Sequence, residues 1–596
     1  MTTDRLTVQS RDADLRRMAQ EGVDVLVVGG GVTGAGIALD AAGRGLSVGL
    51  LEAQDWGAGT SSRSSKLVHG GLRYLQMLDF KLVAEALTER GLLIDRLAPH
   101  LVRAVPFLYP LEKQWERPYV AAGVGLYDLL ATVGTDNRAV PTHRHLGAKG
   151  MKEAFPGIRS DAAIGAIKYY DGQVDDARLV LGLVRTARQY GAAVANRAEV
   201  VELTTNPQGR VDGARARDAE SGEEFHVAAG TVVSAAGVWT ERTQDLAQAS
   251  TGLHVLASKG IHIVVPRDAI DGQSGIILQT SSSVLFIIPW SRYWVIGTTD
   301  TAYHEDLVHP VATAKDIDYV LEQANRILAR PLTRGDVVGT WAGLRPLLQP
   351  KAKGDGGSSK VSREHTVMES APGLVSIAGG KLTTYRVMAK DAIDFVLGKE
   401  VAAQRPSLSH TTPLVGAVGF PAYATRADQV GAAYGWDRFR MAHLLHRYGS
   451  SLPELLALVD ERPDLARPLE GADAYIRAEI VYGMTHEGAA HLEDLMVTRT
   501  RLTYEVRGHG LSAIDEIADL AAETLGWDDA RRAAEVEAYR ARCAAEDEAS
   551  QLTDDEDAAA VRGRRGDVAQ VLATNAEAPD ESATETDPST PGEAVR

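Results

Sequence analysis

"VVGGGVTGAG", residues 27–36, places five glycines in ten positions directly behind an apolar run. The run itself, with Val23, Val25, Leu26, Val27 and Val28, is β-branched or aliphatic and reads as a buried strand. Gly29, Gly31 and Gly34 then fit G-x-G-x-x-G. The first glycine permits a tight turn, the second lets the backbone approach a pyrophosphate, and the third lets helix and strand pack closely. A helix over about residues 35–42 follows, and its N-terminal amides and positive dipole end suit that phosphate. "LSVGLLE" (46–52) is a second short strand, ending in Glu52. This carboxylate lies eighteen residues past Gly34, near the roughly 20-residue offset of a ribose-binding acid. Strand, glycines, helix, strand and acid in this order predict an α/β dinucleotide-binding unit over residues 23–52. Which dinucleotide it takes is open at this point.

The 596 residues allow two to four domains, and 44% hydrophobic with 24% charged residues is the composition of a soluble globular protein. The N-terminal "MTTDRLTVQSRDADLRRM" has no apolar h-region, so no secretory signal is expected. The most apolar run, "VLFIIPW" (284–290), is far below the roughly 18 residues of a membrane span. Cys543 is the only cysteine, which excludes an intrachain disulfide and a thiolate metal cage. A cytoplasmic protein is expected, one that can still sit on a membrane surface. The net charge of −17 is unevenly placed: residues 544–596 hold fourteen Asp or Glu against four Arg. This aromatic-free, acidic stretch reads as a disordered tail. The remaining chain carries only about −7, which gives no support to nucleic-acid binding.

Beyond Glu52 comes a serine-rich loop, "TSSRSSKLVHGGLRYLQ" (60–76), then a helical pattern from Lys81. "SKGIHIVVP", "GIILQT", "VLFIIPW" and "RYWVIGTTD" (258–300) read as strands separated by turns, the pattern of an antiparallel sheet. "GLVSIAGGKLTTYRVMAKDAIDFVL" (373–397) returns to strand, glycine turn and helix, and helical patterns fill about residues 421–545. A discontinuous architecture follows: a nucleotide-binding layer over 20–98, 166–255 and 341–398, a substrate or cap sheet over 99–165 and 256–340, a helical domain over 405–545, and the acidic tail over 546–596. "HEGAAH" (486–491) is not taken as a zinc helix, because its histidines are five apart where the signature needs four. "HRH" (143–145) has no ligand cluster near it, and no metal is predicted.

The succession "VVGGGVTGAGIALDAAGRGLSVGLLEAQD", "TSSRSSKLVHGGLRYL", "YYDGQVDDARLV", "KGIHIVVP", "VIGTTD", "WAGLRPL" and "AGGKLTTYR" closely resembles the FAD-dependent glycerol-3-phosphate dehydrogenases, within the wider D-amino-acid oxidase-like flavoenzymes. It runs from about residue 24 to 388, and "THEGAAHLEDLMVTRTRL" (485–502) resembles that family's C-terminal domain. The resemblance implies a Rossmann-like FAD domain with an inserted antiparallel substrate domain and a C-terminal all-helical domain. It implies non-covalent FAD, with Gly29, Gly31 and Gly34 at the pyrophosphate and Glu52 at the adenosine ribose. Thr60, Ser61, Ser62 and Ser65 would form a second phosphate-side contact. Gly379, Gly380, Lys381, Leu382 and Thr383 would form the turn facing the flavin pyrimidine, with Lys381 also a substrate contact. The implied substrate, sn-glycerol 3-phosphate, is a dianion with a secondary alcohol. Arg73, Tyr74 and Arg345 occupy the substrate-contact motifs, and arginine suits a phosphate through its bidentate fork. His262 is the expected base for the hydroxyl proton, with Arg345 as its catalytic companion. The expected acceptor is a membrane quinone, which places the protein peripherally on the inner face of the cell membrane and leaves a homodimer open. The rivals are an oxidase that returns electrons to oxygen, an amine or amino-acid oxidase, and a flavin-binding interaction module.

Overall fold

The computed structural model describes residues 4–71, 79–130, 139–249, 252–280, 284–349 and 365–564. Helix α1 (Val8–Glu21) leads into strand β1 (Val23–Val28), helix α2 (Val32–Gly43) and strand β2 (Val48–Leu51). α2 starts three residues before the expected position: Gly31 is its extended N-cap, and Ser61 Oγ accepts from Val32 N at 2.9 Å. Gly34 therefore lies inside the helix, where a Cβ would come within 1.8 Å of the Gly29 carbonyl oxygen. Only glycine lets α2 sit this close to the turn that precedes it.

Strand β3 (Val102–Leu111), helix α3 (Glu116–Leu130) and strand β4 (Gly165–Val174) belong to a second layer. Helix α4 (Asp176–Gln189), β5 (Ala193–Ala195) and β6 (Glu224–Ser234) return to the first, with the hairpin Ala198–Thr205/Val211–Asp218 on its outer side. The second sheet continues with β7 (Val255–Pro266), β8 (Gly275–Gln279), β9 (Val284–Trp290), β10 (Tyr293–Gly297) and β11 (Gly339–Leu348). β12 (Thr366–Ala371), β13 (Leu374–Ala378) and helix α5 (Tyr385–Gln404) complete the first.

The first sheet runs β12-β13-β6-β1-β2-β5, parallel except for the edge pair β12–β13. Its inner strands β1, β2 and β13 are apolar runs because both faces are covered there, by α2, α4 and α5 on one side and by α1 and the hairpin on the other. The second sheet is antiparallel, as the turn-separated strands predict, apart from the parallel β3–β8 contact. β4 pairs with β3 along its whole length, and β11 pairs with β7 over ten residues. Hydrogen bonding thus carries the cap sheet to Val174 and Leu348, past the expected limits of 165 and 340.

The helical domain has its own core, in which Tyr448, Tyr475, Tyr482 and Tyr539 are buried. It docks on the layer of the first sheet through buried ion pairs: Arg178–Glu487 at 2.5 Å, Arg197–Asp494 at 2.7 Å, Arg499–Asp55 at 2.5 Å and Arg501–Asp176 at 2.8 Å. His491, declined above as a zinc ligand, lies between Glu220 and Glu535 at 2.8 Å from each.

The expectation of disorder from residue 546 is corrected. Helix α6 (Asp529–Gln551) continues past it, and helix α7 (Asp555–Gly563) folds back onto the cap. Ala549, Ala558 and Val561 bury together, Leu552 accepts a backbone bond from Ala314, and Asp555 pairs with the buried Lys259. Average composition hid this, because the acids are matched by cations elsewhere in the chain and the helix needs only a few small apolar contacts. The rest of the acidic stretch, 565–596, lies outside the described residues.

Candidate active site

A cavity of about 660 Å³ extends between the two sheets, in the size range of sites that enclose a small ligand. One end is built by β1, the glycine turn and β2. Gly29 has φ +109°, and a Cβ there would meet the Ala235 carbonyl oxygen at 2.7 Å. Gly31 lines the cavity at the start of α2, and a Cβ there would meet Ser61 Oγ at 3.1 Å. Glu52 lines the same end and accepts from the amides of Gly30 at 2.6 Å and Gln54 at 2.7 Å. Burial pushes its carboxyl pKa upward against those two bonds. Ala198, Val200, Trp239 and Leu246 supply an apolar rim beside it.

Thr60, Ser61 and Ser65 line the cavity, but Ser62 is buried behind it, with its carbonyl accepting from Lys66 Nζ. Gly34 packs against the Gly29 turn beneath the cradle, where a Cβ would lie 1.8 Å from the Gly29 carbonyl oxygen. Thr60 donates to the Leu344 carbonyl at 2.5 Å, tying the serine loop to β11. At the far end Gly379, Gly380, Lys381, Leu382 and Thr383 all line the wall, as expected. Gly380 has φ +79°, and a Cβ there would lie 2.4 Å from Met388 Sδ. Thr383 Oγ1 accepts from His69 N at 3.0 Å, fastening this turn to the "HGG" segment.

His262 and Arg345 reach the same end from adjacent strands β7 and β11. His262 Nε2 lies 2.8 Å from Ser65 Oγ, and its ring stacks on Trp341 at 5.1 Å between centroids. Burial, then the charges of Arg345 and Lys66, hold its pKa well below the ordinary histidine value. The imidazole is therefore neutral at pH 7 and able to accept a proton. Arg345 donates to Thr298 Oγ1 at 2.9 Å and to the Thr299 carbonyl at 3.1 Å, with Asp300 at 3.5 Å. These bonds hold the guanidinium while leaving its side chain 24% exposed toward the cavity. Arg73 and Tyr74 lie outside the described residues.

Sequence reading missed the support behind His262. Asp176 accepts from Ser64 N at 3.0 Å, Ser64 Oγ at 2.7 Å, Lys66 Nζ at 2.5 Å and Arg501 at 2.8 Å. It thus clamps the residues on both sides of Ser65. Lys66 Nζ also lies 4.9 Å over the Trp341 ring, and Tyr504 meets that ring's edge at 5.4 Å. Burial, with Arg501 adding to it, draws the Lys66 pKa down to about 8. Asp171 is likewise a cavity residue, held by Arg90 at 2.6 Å and Tyr127 at 2.8 Å. "SSKLVHGG" and "YYDGQVDDARLV" contain Lys66, Asp171 and Asp176, and Trp341 and Arg501 lie in "WAGLRPL" and "THEGAAHLEDLMVTRTRL", but nothing in these distant motifs, nor at Tyr504, signals that they meet behind His262.

The donor set fits FAD: a phosphate-sized cradle at a helix N-terminus, a carboxylate at one end, and a cationic end with a second glycine turn. The sequence model of the family described as "FAD dependent oxidoreductase" matches residues 24–386, and that of the "C-terminal domain of alpha-glycerophosphate oxidase" matches 407–532. The chain is 48% identical to the glycerol-3-phosphate dehydrogenase of Mycobacterium leprae, over 90% of this chain and 91% of that protein. It is 36% identical to the human mitochondrial glycerol-3-phosphate dehydrogenase, over 89% and 74%. A solved structure of the glycerol-3-phosphate dehydrogenase from Bacillus halodurans complexed with FAD superposes with a TM-score of 0.72 at 29% identity, covering 91% of this chain and 98% of that one. With the cradle, the neutral histidine and the two-sheet frame in place, the chain belongs to the FAD-dependent oxidoreductases, in the family of the glycerol-3-phosphate dehydrogenases.

Proposed function

We propose that this chain oxidises the C2 hydroxyl of sn-glycerol 3-phosphate to the ketone of dihydroxyacetone phosphate and passes the electrons to a membrane quinone. The observation that carries the chemistry is a neutral, buried His262 beside Arg345, in a cavity that Lys381 also lines and that is continuous with the Gly31 and Glu52 cradle. Bound FAD supplies the acceptor for the hydride that leaves C2. Gly29, Gly31 and the first turn of α2 hold the pyrophosphate, and Glu52 accepts from the ribose hydroxyls. Arg345 orients the substrate anion, together with Arg73 and Tyr74, and Lys381 adds positive charge at the cofactor turn. His262 takes the C2 hydroxyl proton as the hydride departs, so the alcohol loses one proton and one hydride in total. Anaerobic mixing of the purified FAD-loaded protein with glycerol 3-phosphate tests this: the flavin absorbance should bleach, and an unchanged spectrum would refute the reading.

The membrane contact has support that the sequence did not reveal. Trp115, just before α3, and Tyr119 and Leu129 on it are 58–62% exposed. Their spacing, with Ala122 and Leu126 between, puts them on one helical face. Among the described residues no helix is long and apolar enough to cross a membrane, and an aromatic-rich face of this kind suits the interface of a bilayer. Trp115→Glu with Tyr119→Glu should reduce sedimentation with lipid vesicles while leaving flavin reduction unchanged. Oxygen as acceptor is the second reading, favoured by the oxidase name of the C-terminal family. Stoichiometric hydrogen peroxide would select it over the quinone.

A further inference from the structure

A second cavity, of about 490 Å³, lies between the cap sheet and the C-terminal helices. Arg63, Arg334, Arg507, Arg542 and Arg562 line it, against the carboxylates of Glu546 and Asp547. In a chain of net charge −17 such a concentration of arginine is unusual. Pairing does not cancel it. Arg334 is matched by Asp318 at 2.8 Å and Arg542 by Glu493 at 2.7 Å. Glu546 is shared among Arg542 at 2.9 Å, Arg562 at 3.5 Å and His509 at 3.8 Å. Arg507 donates to the carbonyls of Val337 and Gly335, each at 3.0 Å, and neither it nor Arg63 forms an ion pair among the described residues.

The arrangement depends on α7, the helix that composition assigned to the tail. α7 carries Arg562 into the wall, where only 2% of its surface is exposed. Burial there, with the guanidiniums of Arg542 and Arg63 adding to it, lowers its pKa even though Glu546 is close. Like charges gathered in a recess are destabilising unless an anion joins them. The cavity adjoins the active site: Arg63 and His309 line both spaces, and Gly563 lines the first.

We propose that this cavity is a second anion site, which takes a small phosphate-bearing dianion between Arg63 and Arg507 with Arg562 behind it. Two arginine charges without a carboxylate match the charge of such a ligand, and the planar guanidinium fork suits phosphate oxygens. Its volume admits a small ligand, and its enclosure by protein on several sides excludes a nucleic-acid duplex. The site goes beyond the catalytic reading, since its ligand does not meet the flavin end of the first cavity.

Inorganic phosphate is the probe, added to the FAD-loaded full-length chain at constant ionic strength with chloride as the balancing anion. Thermal melting and calorimetric titration should show saturable stabilisation, following the usual linkage to ligand concentration. The effect should survive Arg345→Ala, which weakens the substrate position in the first cavity. It should weaken at least about tenfold in Arg507→Ala and Arg562→Ala, the scale of one lost charge-assisted contact. Arg507 is exposed, so its variant keeps the fold and decides the matter even if Arg562→Ala does not fold. Stabilisation lost in Arg345→Ala but retained in Arg507→Ala would place phosphate in the substrate position and overturn the proposal. An effect no larger than that of chloride would overturn it too. Flavin bleaching by glycerol 3-phosphate is measured separately, so a failure of the catalytic reading is distinguishable from either result.

Discussion

At the scale of single residues, the chemistry turns on the protonation of His262. Its pKa is depressed by burial first and by Arg345 and Lys66 next, so the neutral base persists as pH falls below the ordinary histidine value. Flavin reduction at saturating substrate is therefore expected to stay level between about pH 6.5 and 8, and to fall only at lower pH, when read by anaerobic stopped flow. A surface histidine would already lose half its rate near pH 6.5. His262→Ala should retain FAD but slow reduction by about 10² to 10⁴, the usual worth of a general base; a rate and pH profile like the wild type would remove His262 from that role. Gly31→Val should instead abolish most FAD binding, because its side chain would enter the pyrophosphate cradle beside Ser61.

At the scale of elements, the loop carrying Ser64, Ser65 and Lys66 is positioned from outside itself. Asp176, at the start of α4, clamps both neighbours of Ser65, and Arg501 reaches it from the helical domain. Asp176→Asn should slow flavin reduction with little change in KM, and that effect should disappear in a His262→Ala background if Asp176 acts through the histidine. Equal losses in both backgrounds would make it merely structural. The C-terminal helices carry a separate expectation. Truncation after Ala545 removes α7 and the Asp555 partner of buried Lys259, and should lower the melting temperature. Truncation after Arg564 keeps those contacts and should leave it unchanged. Equal melting temperatures for the two would show that α7 contributes nothing to stability.

At the scale of the whole molecule, buried ion pairs hold the helical domain against the flavin layer. Arg499→Met leaves Asp55 without its bidentate partner, and a broken buried pair costs about 3–5 kcal/mol. A large loss of denaturant resistance is expected, and a change below 1 kcal/mol, well under that range, would contradict it. The His491 bridge adds a dependence on pH. Its pKa is raised to about 9, because the bonds it donates to Glu220 and Glu535 outweigh burial and Arg197. A raised folded pKa stabilises fully below the unfolded value near 6.5 and is lost as pH rises toward 9. The wild type should therefore lose more stability than His491→Gln between pH 6.5 and 9. Parallel melting curves across that window would show that the bridge is not charged.

The sequence by itself determined the flavin frame. Valine runs, a glycine turn and Glu52 are local features, and each forms where its neighbours in the chain dictate; the two glycine turns, His262 and Arg345 were all legible because short motifs carry them. Even there, α2 began earlier than its pattern indicated, since the Ser61 cap comes from another segment. Only tertiary structure decided what stands behind the histidine. Trp341, Asp176, Arg501 and Tyr504 are far apart in sequence, and a buried charge acquires its meaning from whichever partner the fold brings within a few ångströms. The same holds for α7. Its acidic composition reads as a chain that cannot form a core, yet Lys259 and a patch of alanine, leucine and valine fix it in place. Composition counts a segment's own residues, whereas its ordering is set by the surface it meets.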